Sequence, residues 1–236
     1  MDRREFVRAC AAGAALAASP AATLAAQNAE PRRYEPALLT DELGKPLKAA
    51  DLKSGRNYIF HYPFGGTPCF LLNLGRPTAA GVALRTADGR GYTWPGGVGP
   101  GRSIVAYSAI CAHQLAYPTR QISFISYRDA GNASPTARAN MIHCCAEHSE
   151  YDPAQGARVM GGPAEQPLCA ILLEHDAKGG ELRAVGTLGG ELFNRFFEKY
   201  DFKLAIDYGS SKAKAAVSGT TPVSELTRFC KQQVHC

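Results

Sequence analysis

The stretch from Cys111 to His148 constrains this chain more than any other. It reads Cys111-Ala112-His113, then 31 residues, then Cys145-Ala146-Glu147-His148. Two thiols and two imidazoles stand in paired short spacings, Cys-x-His and Cys-x-x-His. Such a set is a ligand set for a borderline or soft metal centre, because thiolate and imidazole together select zinc or iron–sulfur chemistry over magnesium or calcium. Each half is a weak signal alone. Together they require two loops to meet at one point, which asks for a rigid scaffold beneath them.

The residues around the second half add detail. Ser149-Glu150-Tyr151-Asp152 follows it, then Gly156-Ala157-Arg158-Val159, then Gly161-Gly162-Pro163-Ala164. Strand signals surround these loops: Asn57–Phe60, Cys69–Leu74, Ser103–Ile110, Gln121–Ser126, Met141–Cys145, Cys169–Glu174 and Glu181–Leu188. They are apolar or alternating runs with Gly/Pro turns between them. Little helical periodicity separates them, so the expected class is all-β.

With these pieces in place the chain resembles the Rieske [2Fe–2S] family over roughly Tyr58 to Phe196. The likeness is nearest to the small Rieske subunit of arsenite oxidases, through Gly96–Pro100, Ile104–Ser108 and Ile171–Glu174. The resemblance implies an antiparallel β base domain, a small cluster-binding subdomain of two loops, and a [2Fe–2S] cofactor. In such centres two Cys hold one iron and two His the other. Carried over, Cys111 and Cys145 are the thiolate ligands and His113 and His148 the imidazoles. Ser149 and Tyr151 become hydrogen-bond donors to cluster sulfurs, and Gly162, Pro163 and Ala164 a covering loop.

One departure stands out. The family places one residue between the ligand His and the Ser, whereas Ser149 follows His148 directly. An ungapped comparison puts Glu147 where the histidine belongs. Only His148 preserves Cys-x-x-His, so His148 is the expected ligand and His143 is assigned a structural role. The loop-to-loop disulfide of quinol-oxidising relatives is expected to be absent, since its positions fall on Ala116 and Glu147.

The N-terminus, Met1-Asp2-Arg3-Arg4-Glu5-Phe6, looks like a twin-arginine export signal followed by an Ala-rich run, with cleavage expected after Ala25. Retention as a membrane anchor is the weaker reading, because Pro20 and many alanines make insertion marginal. Export of a folded protein suits a cluster loaded in the cytoplasm, so a periplasmic location is expected. Without residues 1–25 the remaining 211 suffice for one well-cored domain. The formal charge of +5 is modest and speaks against a nucleic-acid role.

Eight cysteines are present, at 10, 69, 111, 144, 145, 169, 230 and 236. Cys230 and Cys236 are open to pairing with each other or with Cys69 or Cys169, and Cys144 is the expected free thiol.

Residues 26–56 read as an extended lead-in, 57–198 as the Rieske domain, and 199–236 as a C-terminal extension. Residues 75–102 read as a long loop and 127–140 as a solvated insertion. The aromatic run over 189–209 reads as packing on the base or on a partner. A helix is expected from Thr221-Pro222, with Val223, Leu226, Phe229, Cys230 and Val234 on one face.

The expected function is periplasmic one-electron transfer beside a larger redox enzyme. A molybdenum oxidoreductase large subunit is the partner that the resemblance implies, with a cytochrome as another. A quinol-oxidising complex is the alternative within the same chemistry, and a structural zinc protein the non-redox one. An oxygenase is excluded, because its second domain would need a two-His, one-carboxylate iron site, and His235 is the sole histidine among the 48 residues after Leu188.

Overall fold

The computed structural model describes residues 29–131, 133 and 138–236. The expected export signal and the possible anchor lie outside the described residues. Among the described residues no helix is long and apolar enough to cross a membrane.

The apolar runs become strands of one eight-stranded sheet. In spatial order these are β14 (Gly219–Pro222), β1 (Arg32–Thr40), β13 (Leu182–Leu188), β12 (Ala170–His175), β6 (Ile104–Ser108), β3 (Pro68–Asn73), β2 (Asn57–His61) and β15 (Ser224–Glu225). Neighbours run antiparallel except β1 and β14, which are parallel. β3 and β6 are buried along nearly their whole length, which is why they read as continuous apolar runs. Alternate residues part to the two faces. Tyr58, Phe60, Cys69, Leu71 and Ala106 enter one core, while Ile59, Phe70, Leu72, Val105 and Tyr107 enter the other.

That second core lies beneath a four-stranded antiparallel sheet, ordered β11 (Arg158–Gly161), β10 (Ser149–Asp152), β9 (Met141–Cys144) and β8 (Ile125–Arg128). Ile125, Ile142, Cys144, Tyr151 and Cys111 all enter it. The fold is mostly β: a base sheet, a smaller sheet carrying the loops, and a helix toward the C-terminus.

Four details differ from the sequence reading. The lead-in is a sheet strand, because Ala37 and Leu39 of β1 turn inward while Arg32, Arg33 and Glu35 before them stay outside. The 75–102 stretch is not all loop: β4 (Val82–Arg85) and β5 (Gly91–Trp94) pair there as a hairpin that buries Trp94. The aromatic run forms α1 (Phe193–Tyr208), whose Phe193, Phe196, Phe197 and Leu204 share one face. Finally, the helix expected from Pro222 is a single turn, Leu226–Phe229, because the residues before it pair as β14 and β15.

α1 fixes the first of the two loops. Its buried face packs on Ile110, Leu115 and Tyr117, with the Tyr117 and Phe196 rings edge to face at 4.8 Å. Lys199 Nζ donates to the Gln114 carbonyl at 2.7 Å.

Candidate metal centre

Cys111 follows the end of β6, in a tight turn where its N–H donates to the Ala116 carbonyl and Leu115 N–H returns to its own carbonyl. The second loop is the four-residue turn of the β9–β10 hairpin, residues 145–148, closed by the pairing of Cys144 with Ser149. The third, Gly162–Pro163–Ala164, leaves β11. Gly162 has φ +79°, and a Cβ there would lie 2.6 Å from the Ser149 Cα and closer still to the His148 carbonyl oxygen. Only glycine permits this approach of the covering loop to the second loop.

The structure does not bring the four expected ligands together as the spacing suggested. Cys145 forms a disulfide with Cys236, their Cα atoms 5.6 Å apart. Its sulfur also accepts from Arg128 Nη2 at 2.8 Å. The thiol facing Cys111 is that of Cys144, and the two are hydrogen-bonded. Cys144, the expected spare thiol, therefore takes the place assigned to Cys145. The physical reason is strand alternation: adjacent residues point to opposite faces. The register Ile125↔Cys144 and Ser149↔Cys144 turns Cys144 inward and Cys145 toward the tail.

Both inward sulfurs sit in cradles of backbone N–H groups. His113 and Gln114 donate to Cys111, and Ala146 and Glu147 to Cys144. The Tyr151 hydroxyl lies 3.3 Å from Cys111 Sγ. The bond from Cys144 pulls the Cys111 thiol down to about 6, against the cost of burial, and Tyr151 and the two N–H groups pull the same way. The Cys144 thiol moves up, because ionising it beside Cys111 would place two negative charges together. The pair thus gives up one proton more readily than the second.

Two polar atoms nearby are buried with no partner among the described residues, Nδ1 of His113 and Oγ of Ser149. A buried orphan costs about 1–3 kcal/mol, so both await something. His148 and Glu147 are exposed at the tip of the second turn, and His148 adopts φ +57°. His143 is committed elsewhere: its Nε2–H donates to the Arg138 carbonyl at 2.7 Å, and its Nδ1 lies 3.6 Å from Glu150.

Sequence reasoning missed the tail. β16 (Gln232–Gln233) pairs in parallel with β7 (Ile122–Ser123). The guanidinium of the buried Arg128 donates to the carbonyls of Val234 at 2.9 Å and Cys236 at 2.7 Å. With the disulfide, this clamps the C-terminus to the second loop. The only sequence signal was a terminal cysteine.

No family model matches the chain. It is 28% identical over 190 residues to iodate reductase subunit IdrB of Denitromonas iodatirespirans, covering 80% of this chain and 82% of that one. The crystal structure of the soluble domain of Rieske protein II from Sulfolobus acidocaldarius shares 27% identity, with a TM-score of 0.40 over 56% of this chain and 68% of that one. The motif pair and the two loops on a small antiparallel sheet keep the resemblance to the Rieske family, and the chain is similar to a reductase subunit over most of its length.

That family implies a [2Fe–2S] cluster. The residues here fit three of its four protein ligands. Cys111 and Cys144 are paired thiols with N–H cradles, and His113 offers a buried, unpartnered Nδ1. Ser149 is the cross-strand partner of Cys144 with an unpartnered Oγ, and the Tyr151 hydroxyl lies beside Cys111 Sγ. The fourth position does not present a histidine in the spacing that Cys144 requires. Among the described residues no three His, Cys, Asp or Glu gather as a single-ion site.

Proposed function

We propose that this protein is an electron-transfer subunit that holds a [2Fe–2S] cluster and passes one electron at a time to or from a larger oxidoreductase. The observation that carries the reading is the buried Cys111–Cys144 thiol pair beside the unpartnered His113 Nδ1 and Ser149 Oγ. When bound, the cluster supplies the one-electron couple, and imidazole ligation sets its potential above that of all-Cys ferredoxins. The protein does the rest. Cys111 and Cys144 would hold one iron and His113 the other, with Tyr151 and Ser149 as the hydroxyls available to donate to sulfur. The Gly162–Pro163–Ala164 loop excludes water from one side. α1 holds the first loop still and the Cys145–Cys236 clamp holds the second.

A larger partner is supported by the relative, which is a subunit of a reductase by name, and the partner class we favour is a molybdenum oxidoreductase. Location in the periplasm, after folded export led by Arg3 and Arg4, is part of the same proposal. The disulfide joins the second loop to the tail rather than to the first loop, unlike the tie of quinol-oxidising Rieske proteins, and this favours an oxidoreductase subunit over a quinol-oxidising complex.

Visible absorption and EPR of the purified protein test the core of this. A [2Fe–2S] spectrum with two irons per chain is expected. A colourless protein carrying one zinc per chain would replace the reading with a structural zinc site.

A further inference from the structure

We infer that Glu147, and not a second histidine, is the fourth protein ligand, so that one iron has two thiolates and the other one imidazole and one carboxylate. This rests on the cluster reading above. The argument starts from Cys144. It is the thiol of the second loop that faces Cys111, and Cys145 is committed to Cys236. Counted from Cys144, Glu147 is the third residue on, Ser149 the fifth and Tyr151 the seventh. Ser149 pairs across the strands with Cys144, on the same face, and has an orphaned Oγ, and Tyr151 is bonded to Cys111. The three downstream positions are therefore in register with Cys144. The missing residue that a Cys145 count leaves between His148 and Ser149 disappears.

The turn geometry agrees. Ala146 and Glu147 N–H groups point at Cys144 Sγ, so the chain wraps round that sulfur as it reaches Glu147. His148 comes one residue later, in the left-handed region, with its carbonyl oxygen against Gly162 as the chain re-enters β10. Its backbone conformation is set by that descent. Glu147 is exposed at the tip, with no side-chain partner among the described residues. Carboxylate oxygen is an accepted ligand for iron. Unlike imidazole it carries a charge, so the centre is one unit more negative and its potential lies below that of a two-imidazole centre.

Pulsed EPR on the reduced holoprotein, grown with and without ¹⁵N-histidine, counts the directly bound imidazoles. One strongly coupled histidine nitrogen is expected in the wild type. Glu147→His should give two and raise the midpoint potential, while His148→Ala should leave spectrum and iron content unchanged. Two coupled nitrogens in the wild type, falling to one in His148→Ala, would overturn the assignment while leaving the cluster reading intact. A wild-type protein with zinc and no iron–sulfur absorption would remove both. Should Glu147→His fail to assemble, Glu147→Ala and His148→Ala decide the matter. Cluster loss in Glu147→Ala alone supports the inference, and loss in His148→Ala overturns it.

Discussion

Tyr151→Phe removes one oxygen from a fully buried side chain. That oxygen accepts the Ala112 N–H at 3.1 Å and lies 3.3 Å from Cys111 Sγ. Because the oxygen already accepts from Ala112, its own proton is directed at the sulfur. The substitution therefore has two separable effects. The Ala112 N–H is stranded in the core, at about 1–3 kcal/mol of stability. The ring volume is nearly kept, so no cavity adds to this. The second effect is on the centre. A hydrogen bond to a charged sulfur is worth about 1.5–3 kcal/mol, and it strengthens when an added electron makes the sulfur more negative. If a third to a half of it differs between the redox states, the reduced form loses about 0.5–1.5 kcal/mol. A tenfold change in a one-electron equilibrium is about 59 mV, so the midpoint should fall by about 20–60 mV. Voltammetry reads that shift, iron analysis checks that the cluster is retained, and urea unfolding reads the stability loss. An unchanged midpoint with iron intact and stability lowered would refute the sulfur assignment of this hydroxyl.

Other expectations are as direct. His61 is wedged between the Tyr208 and Phe229 rings, with Nε2 3.1 Å from the Tyr208 hydroxyl, and burial, helped by Arg120, lowers its pKa to about 4. The unfolded chain, titrating near 6.5, takes this proton first, so stability is complete above that pH and is lost as pH falls toward 4. About 1–3 kcal/mol should disappear over that window in urea melts, and His61→Phe should flatten the dependence. Cys236→Ser opens a link spanning 91 residues, for which chain entropy predicts a loss of up to about 4 kcal/mol; peptide mapping of the non-reduced wild type should recover Cys145 linked to Cys236, and a Cys144–Cys236 link would reverse the roles of the two. Replacing Arg3 and Arg4 by lysine should trap the protein, cluster included, in the cytoplasm, as fractionation would show; unchanged periplasmic accumulation would point to another export route.

Much of the scaffold was legible in the residues. β3 and β6 are continuous apolar runs because both their faces are covered, and that composition is local information. The covering loop was marked by its resemblance to the family's Gly-Pro segment, and the positive φ at Gly162 is the structural reason a glycine stands there. α1 carried a readable helical period in Phe193, Phe196, Phe197 and Leu204, yet aromatic residues suit strands at least as well, so composition left the run unassigned. β1 was read only as extended, because its inward residues are few and follow Arg32, Arg33, Glu35 and a proline.

The site divides along the same line. The sequence by itself determined that two short Cys/His loops would meet over a β scaffold, with Ser149 and Tyr151 beside them, since these features depend on residue type and close spacing. It did not decide between Cys144 and Cys145. Two adjacent cysteines are equivalent in a list of residues, but a strand sends neighbours to opposite faces, and which face looks inward depends on the register of β9 against β8 and β10. The tail was likewise decided only in three dimensions. Gln232 and Gln233 have little strand character of their own, and they are held by pairing with β7, by Arg128 and by a cysteine 91 residues away. Contacts that depend on register and chain return are set by the whole fold, because no stretch of the chain contains both partners.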